Sequence, residues 1–139
     1  MPKIKTEVKE KYILTVGRRK ESTARVRLYT GKGETVVNGK PIGQYFPGVT
    51  SAALYSRPLS LIESTGKYYA TIVCAGGGNQ GQLEAVIHGL ARALAKVNPE
   101  KFRPVMKKNG LLTRDSRTRQ RRNVGMGGKS RRKKSSPKR

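Results

Sequence analysis

The chain has 139 residues, 31 Lys and Arg against eight acids, and a formal net charge of +23. That length allows one domain, and the single cysteine, Cys74, excludes an internal disulfide. No run approaches the ~18 apolar residues of a membrane span, and the first eleven residues, MPKIKTEVKEK, have neither the apolar core of a secretory signal nor the Arg of a transit peptide.

In chain order, YILTV is an apolar run that stops at Gly17, and the charged GRRKE after it reads as a loop. STARVRLY alternates, with Ala24, Val26 and Leu28 on one face and Arg25, Arg27 and Tyr29 on the other. That period predicts a strand with a core face and a basic face. ETVVNGK predicts a short strand ending in an Asn-Gly turn, so the first three strands are expected to form a meander. SRPLSLIEST predicts a short helix begun at Pro58 and ended by Gly66. YYATIVCA predicts an apolar, central fourth strand with Cys74 buried in it.

QLEAVIHGLARALAKVN carries Leu83, Val86, Ile87, Leu90, Leu94 and Val97 at helical spacing. Glu84, His88, Arg92 and Lys96 recur on the opposite side and are expected on a solvated or nucleic-acid-facing surface. A further short helix through PEKFRPVMKKNG is expected to be strained by Pro104. Residues 113–139 show no periodicity and hold 12 Lys and Arg with one acid, Asp115. Such a segment has almost no apolar surface to offset the entropy of ordering, so it is expected to be extended and to need a polyanionic partner. The predicted organisation is a flexible charged segment 1–11, a globular domain 12–112 and a basic tail 113–139, with Gly125, Gly127 and Gly128 loosening the tail.

GGGNQG, residues 76–81, fits G-x-G-x-x-G between a strand and a helix. A dinucleotide fold needs a second parallel strand after that helix with an acid at its end, and here NPEKFRP follows. Backbone N–H groups of Gly76, Gly77, Gly78 and Gln80 holding an RNA phosphate fit the context better. GRRKESTARVR concentrates Arg18, Arg19, Lys20, Arg25 and Arg27 with only Glu21 to compensate, a second phosphate-binding surface. Aromatic residues are few and show no base-stacking pattern. His88 has only Glu84 near it on its face, and the acids show no metal-ligand spacing, so no enzyme, metal or cofactor is expected. Basic composition alone would also suit a DNA-compacting protein. The strand-face motif and the glycine loop favour an RNA-binding structural protein.

GRRKESTARVRLY, ETVVNGKPIGQYFPG, YYATIVCAGGGNQGQLEAVIHGLARAL and GLLTRDSRTRQRR occur in this order, with Lys-Arg at the end. In this the chain resembles the universal ribosomal protein family nine of the small subunit, in its bacterial or organellar form, from about Tyr12 to Arg139. The resemblance implies an α+β, two-layer β3-α-β-α domain with a left-handed crossover, an exception to the usual hand. It implies a structural role in the head of the small subunit of a cytoplasmic or organellar ribosome, bound to ribosomal RNA beside other head proteins. RNA contacts are then expected from the motif cations above and from Arg114, Arg117, Arg119, Arg121, Arg122, Lys129, Arg131, Arg132, Lys133 and Lys134. Lys138 and Arg139 are expected to approach transfer RNA in the peptidyl site. An extended chain spans ~3.3–3.6 Å per residue, so the tail can reach about 90 Å. The chain departs from the family where Pro137 replaces a usual Ser and the usual aromatic before it is absent, where Ile87 replaces a frequent basic residue, and where RQRRN replaces a usual ERKK with charge kept on Arg121 and Arg122.

Overall fold

The computed structural model describes residues 11–122. The expectations for the first ten residues, and for Lys129, Arg131, Arg132, Lys133, Lys134, Lys138, Arg139 and the tail glycines, lie outside the described residues. Strand β1 (Ile13–Arg19) and β2 (Ser22–Thr30) form an antiparallel hairpin, paired from Ile13 with Leu28 to Arg19 with Ser22. β3 (Val36–Val37) and β4 (Lys40–Pro41) follow, then α1 (Ile42–Tyr45) and α2 (Val49–Leu61). β5 (Tyr68–Ala75), α3 (Asn79–Val97) and α4 (Phe102–Lys108) complete the described elements.

The sheet order is β1-β2-β5-β3-β4, so the first three strands do not form the expected meander. β5 lies between β2 and β3. The reason is ladder length: β2 pairs with all eight residues of β5, from Thr23 with Ala75 to Thr30 with Tyr68, whereas β3 has two residues to offer. β3 instead runs parallel to β5, Val36 beside Thr71 and Val37 beside Ile72. Asn38 extends that pairing with its side chain, donating to the Cys74 carbonyl at 3.1 Å and accepting from the Cys74 N–H at 2.9 Å. The expected Asn-Gly turn is present, with positive φ at Asn38 and Gly39.

The alternation of β2 holds, with Ala24, Val26 and Leu28 buried against α3 and Arg25 and Arg27 exposed. β5 is central, as expected, and supplies Ala70, Ile72 and Cys74 to the core. Burial pushes the Cys74 thiol up to about 11, which leaves it unreactive. Helices cover one face of the sheet only, so Val73 of the apolar β5 run stands exposed.

Two helix expectations are corrected. α2 begins at Val49, and Pro58 lies buried inside it near its end. The chain leaves that helix at Ile62, before Gly66. Pro104 does not strain α4, because it sits in the first turn, where an N–H has no intrahelical partner to lose.

β1 and α3 meet at two glycines. A Cβ on Gly17 would stand 1.9 Å from the Ala85 carbonyl oxygen and 2.4 Å from the Gly89 nitrogen. A Cβ on Gly89 would stand 2.6 Å from Val26 Cγ2. Beside this contact, buried Thr15 donates its hydroxyl to the Gly89 carbonyl at 2.8 Å. Gly17→Ala should therefore force helix and strand apart and lower stability in urea by about 2–3 kcal/mol or more. Gly78→Ala, with nothing within 4 Å of the added carbon, should be near neutral. Equal midpoints for the two variants would show that helix and strand do not meet this closely.

Candidate nucleic-acid interface

The β1–β2 turn, Lys20–Glu21, lies against the glycine loop that leads from β5 into α3. Gly76 and Gly77 have positive φ, +74° and +63°, and their added Cβ atoms would meet the Glu21 carbonyl oxygen and Ser22 Oγ. Only glycine permits both the conformation and the approach. Ser22 donates its hydroxyl to the Gly76 carbonyl at 3.1 Å, and Gln82 donates its side-chain amide to the same oxygen at 3.1 Å. Tyr45 in turn donates to Gln82 Oε1 at 2.5 Å.

Gly78 differs from its two neighbours. It is extended, an added Cβ would stand in open space, and it is the N-cap of α3 without a side-chain cap. The first amides of such a helix have no intrahelical partner, and the helix dipole adds partial positive charge there. They border an open groove of about 530 Å³ lined by Lys20, Ser22, Gly77, Gln80, Gly81 and Arg119, among others. Gly77, Gly78, Gln80, Lys20 and Arg119 are thus brought together, as an anion-binding arrangement requires. Gly76 serves the packing of the loop.

Arg19 goes elsewhere. It is 8% exposed, and its guanidinium pairs with Glu84 of α3 and, at 3.3 Å, with Asp115. It also donates to the Arg117 carbonyl at 2.6 Å. Asp115 accepts from the Arg117 N–H at 3.0 Å and pairs with its guanidinium at 2.9 Å. Hydrogen bonds from Arg117 and the nearby Arg19 charge hold the Asp115 carboxyl well below the usual carboxylate range. The lone acid of residues 113–139 thereby ties the first tail residues to strand and helix. Arg114 reaches the Lys20 carbonyl at 3.5 Å from the same stretch.

The polar stripe of α3 leaves Arg92 and Lys96 exposed, as its spacing suggests, and also lies along the edge of β1. Arg92 donates to the Val16 carbonyl, and Lys96 reaches the Leu14 carbonyl at 3.5 Å. The Arg18 N–H donates to His88 Nδ1 at 3.4 Å, and His88 Nε2 lies 3.3 Å from the Leu112 carbonyl. The stripe covers the open edge of β1, whose outward groups would otherwise be free to pair with another chain. Sequence spacing gave no sign of this use, because the partner strand lies some 70 residues away.

Arg18 and Arg114 line a second groove beside His88 and Arg92. Arg117, Arg121 and Arg122 are exposed at the start of the tail. Arg25 and Arg27 project from the uncovered face of the sheet, away from the core. Among the described residues, no cluster of His, Cys, Asp or Glu could hold a metal ion, and no helix is long and apolar enough to cross a membrane.

The structure is that of a small α+β protein with an uncapped helix start, a lysine turn and the first residues of a basic tail along one groove. The family described as ribosomal protein S9/S16 matches residues 17–139, and the chain belongs to that family. It is 46% identical over 115 residues to a protein of Anaeromyxobacter sp. (strain K) named small ribosomal subunit protein uS9, covering 83% of this chain and 88% of that protein. Proteins of the same name from Maridesulfovibrio salexigens and Solidesulfovibrio magneticus are 46% and 44% identical, covering 81% and 86% of this chain. The chain is a structural, non-enzymatic component of the small ribosomal subunit, at work in translation in the cytoplasmic ribosome.

Burial, aided by the Arg92 and Arg114 charges, pushes the His88 pKa below its ordinary 6.5, while the bond to Leu112 opposes the shift. The unfolded chain therefore takes up the proton first. Stability should be full above pH 6.5 and should fall as pH drops from there towards the folded-state value. Thermal melts between pH 7.5 and 5.5 should show a loss that His88→Gln largely removes. A wild-type melting temperature flat over that range would contradict the neutral imidazole bridge.

Proposed function

We propose that the chain holds ribosomal RNA of the small-subunit head through the groove between the Lys20 turn and the start of α3. The observation that carries this reading is the uncapped N-terminus of α3 facing Lys20 and Arg119 across one groove. Arg18, Arg114, Arg117, Arg121 and Arg122 continue the cationic surface along the start of the tail. Arg19 supports it from inside by fixing where the tail leaves the domain. Lys129, Arg131, Arg132, Lys133 and Lys134 extend the phosphate contacts, and Lys138 and Arg139 reach the peptidyl-site transfer RNA. The reading includes the division into a charged segment 1–11, a domain 12–112 and an extended tail 113–139. It includes a left-handed connection from β3 through α2 to the parallel β5. Neighbouring head proteins complete the set of partners.

Phosphate neutralisation makes affinity fall with salt, with a slope of ~0.7–0.9 per phosphate contacted. Removing residues 120–139, which carry nine cations and leave Arg119 and the Arg19 contacts in place, should flatten the slope for small-subunit RNA by several units. Gly78→Asp should lower affinity further in the shortened chain without unfolding it. An unchanged slope would make the tail a bystander, and an unchanged affinity in Gly78→Asp would remove the groove from the reading.

The tail tip has a separate test. Arg139 can grip a phosphate with two parallel bonds, while Lys138 acts as a point charge. Deleting both should leave subunits assembled, because many cations precede them. Transfer RNA affinity at the peptidyl site should fall by up to about tenfold, equivalent to ~1.4 kcal/mol. Wild-type affinity on purified ribosomes carrying the shortened protein would assign the tip no such role.

A further inference from the structure

The uncovered face of the sheet has a composition unlike the rest of this basic surface. Read across β1, β2 and β5, its rows are Tyr12, Tyr29 and Tyr69, then Leu14, Arg27 and Thr71, then Val16, Arg25 and Val73. The first row closes into an aromatic column, with Tyr29 stacked on Tyr69 at 5.1 Å and Tyr12 tilted against Tyr29 at 5.7 Å. Arg27 lies over the Tyr12 ring at 5.4 Å. Tyr12, Leu14 and Val73, at 44%, 51% and 55% exposure, are three of the four exposed large hydrophobic residues among the described residues. Leu14, Val16, Arg25, Arg27, Thr71 and Val73 line a shallow groove of about 270 Å³.

We infer that this face, where the sequence pattern expected RNA at Arg25 and Arg27, instead docks a segment of another protein of the small subunit, one that carries aliphatic side chains around a carboxylate. Two guanidiniums stand two residues apart on β2 with aliphatic chains on both sides, and no carboxylate occupies these strand positions. Neither Arg25 nor Arg27 forms an ion pair among the described residues. A guanidinium beside aliphatic surface suits bidentate pairing with a carboxylate once both are desolvated. Tyr, Arg and large aliphatics without Lys, Glu or Asp is the composition of a protein–protein interface core. An RNA backbone would bury Leu14, Val16 and Val73 against phosphates and riboses with little return. The Lys20 groove, with its free amides and few aliphatics, is the contrasting surface.

Docking is by the face and not by strand addition, because the α3 stripe closes the β1 edge. Strands ~4.8 Å apart and alternate residues ~6.7 Å apart give nine positions an area of about 300 Å². A free-standing interface needs roughly 800 Å² per partner. The patch therefore suits a segment already held near it in the same particle.

The test places photoreactive p-benzoylphenylalanine at Leu14 or Val73, one at a time, in the full chain expressed in cells. Both side chains are exposed, and a melt of each purified variant checks that its fold is intact. Small subunits are purified and irradiated, and the adducts are mapped to peptides. Both positions should crosslink to one subunit protein, in a stretch with Asp or Glu within two residues of an aliphatic side chain. Val73→Glu, scored with the photoreactive group at Leu14, should reduce that adduct by about tenfold, with the protein still present in the subunit. Adducts on RNA, on residues 1–10 of the same chain, on a second copy or on a protein stretch without a carboxylate would each overturn the inference. So would intact subunits without any adduct.

Discussion

The seat of α3 on β1 at Gly17 and Gly89 sets the position of nearly every functional group in the described chain. With no side chain between them, the helix lies close enough for its polar stripe to reach the strand's outward carbonyls. Those bonds close the sheet edge. The same seating brings Glu84 to Arg19 and His88 to Leu112, so the chain that follows α4 returns along this seam. Arg19 is nearly buried, but the Glu84 and Asp115 side chains are about a third or more exposed. Water screens them, and losing one partner costs nearer the ~1 kcal/mol of an exposed pair than the 3–5 of a buried one. The value of the cluster lies in direction: it fixes where the basic tail leaves the domain.

Cations in this chain therefore do different work, although they contribute equally to a net charge of +23. Arg19, Arg92 and Lys96 are engaged with the protein's own carboxylates and carbonyls. Lys20 and Arg119 face the groove at the helix start. Arg25 and Arg27 stand among aliphatic and aromatic side chains on another face. Some cations thus cover the strand edge, while others line the groove at the start of α3.

Local period made much of this legible. The alternation of β2, the helical spacing of α3, the Asn-Gly turn and the burial of Cys74 all follow from neighbouring residues. The sheet order did not, because β2 takes its second partner from about 45 residues away and ladder length decides the pairing. α2 was misread at Pro58, where a proline tolerated near a helix end looked like a start. The α3 stripe shows the same limit. Spacing identifies a polar face, but only the fold shows that its exposed side chains also reach the edge of a strand. Tyr12, Tyr29 and Tyr69 lie far from one another in the chain, and pairing of the strands brings them into one column. The glycine loop was legible as a tight strand-to-helix turn, yet its three glycines divide the labour: two pack, and one leaves space.

Residue-resolved amide hydrogen exchange on the full chain, with and without small-subunit RNA, tests most directly whether α3 closes the sheet at its middle and stays open at its start. The Arg18 amide, bonded to His88, should exchange slowly without RNA although it faces outward from an edge strand. The Asn79, Gln80 and Gly81 amides should exchange fast without RNA and become protected when it binds. A fast-exchanging Arg18 amide, or a helix start as fast with RNA as without it, would contradict the account.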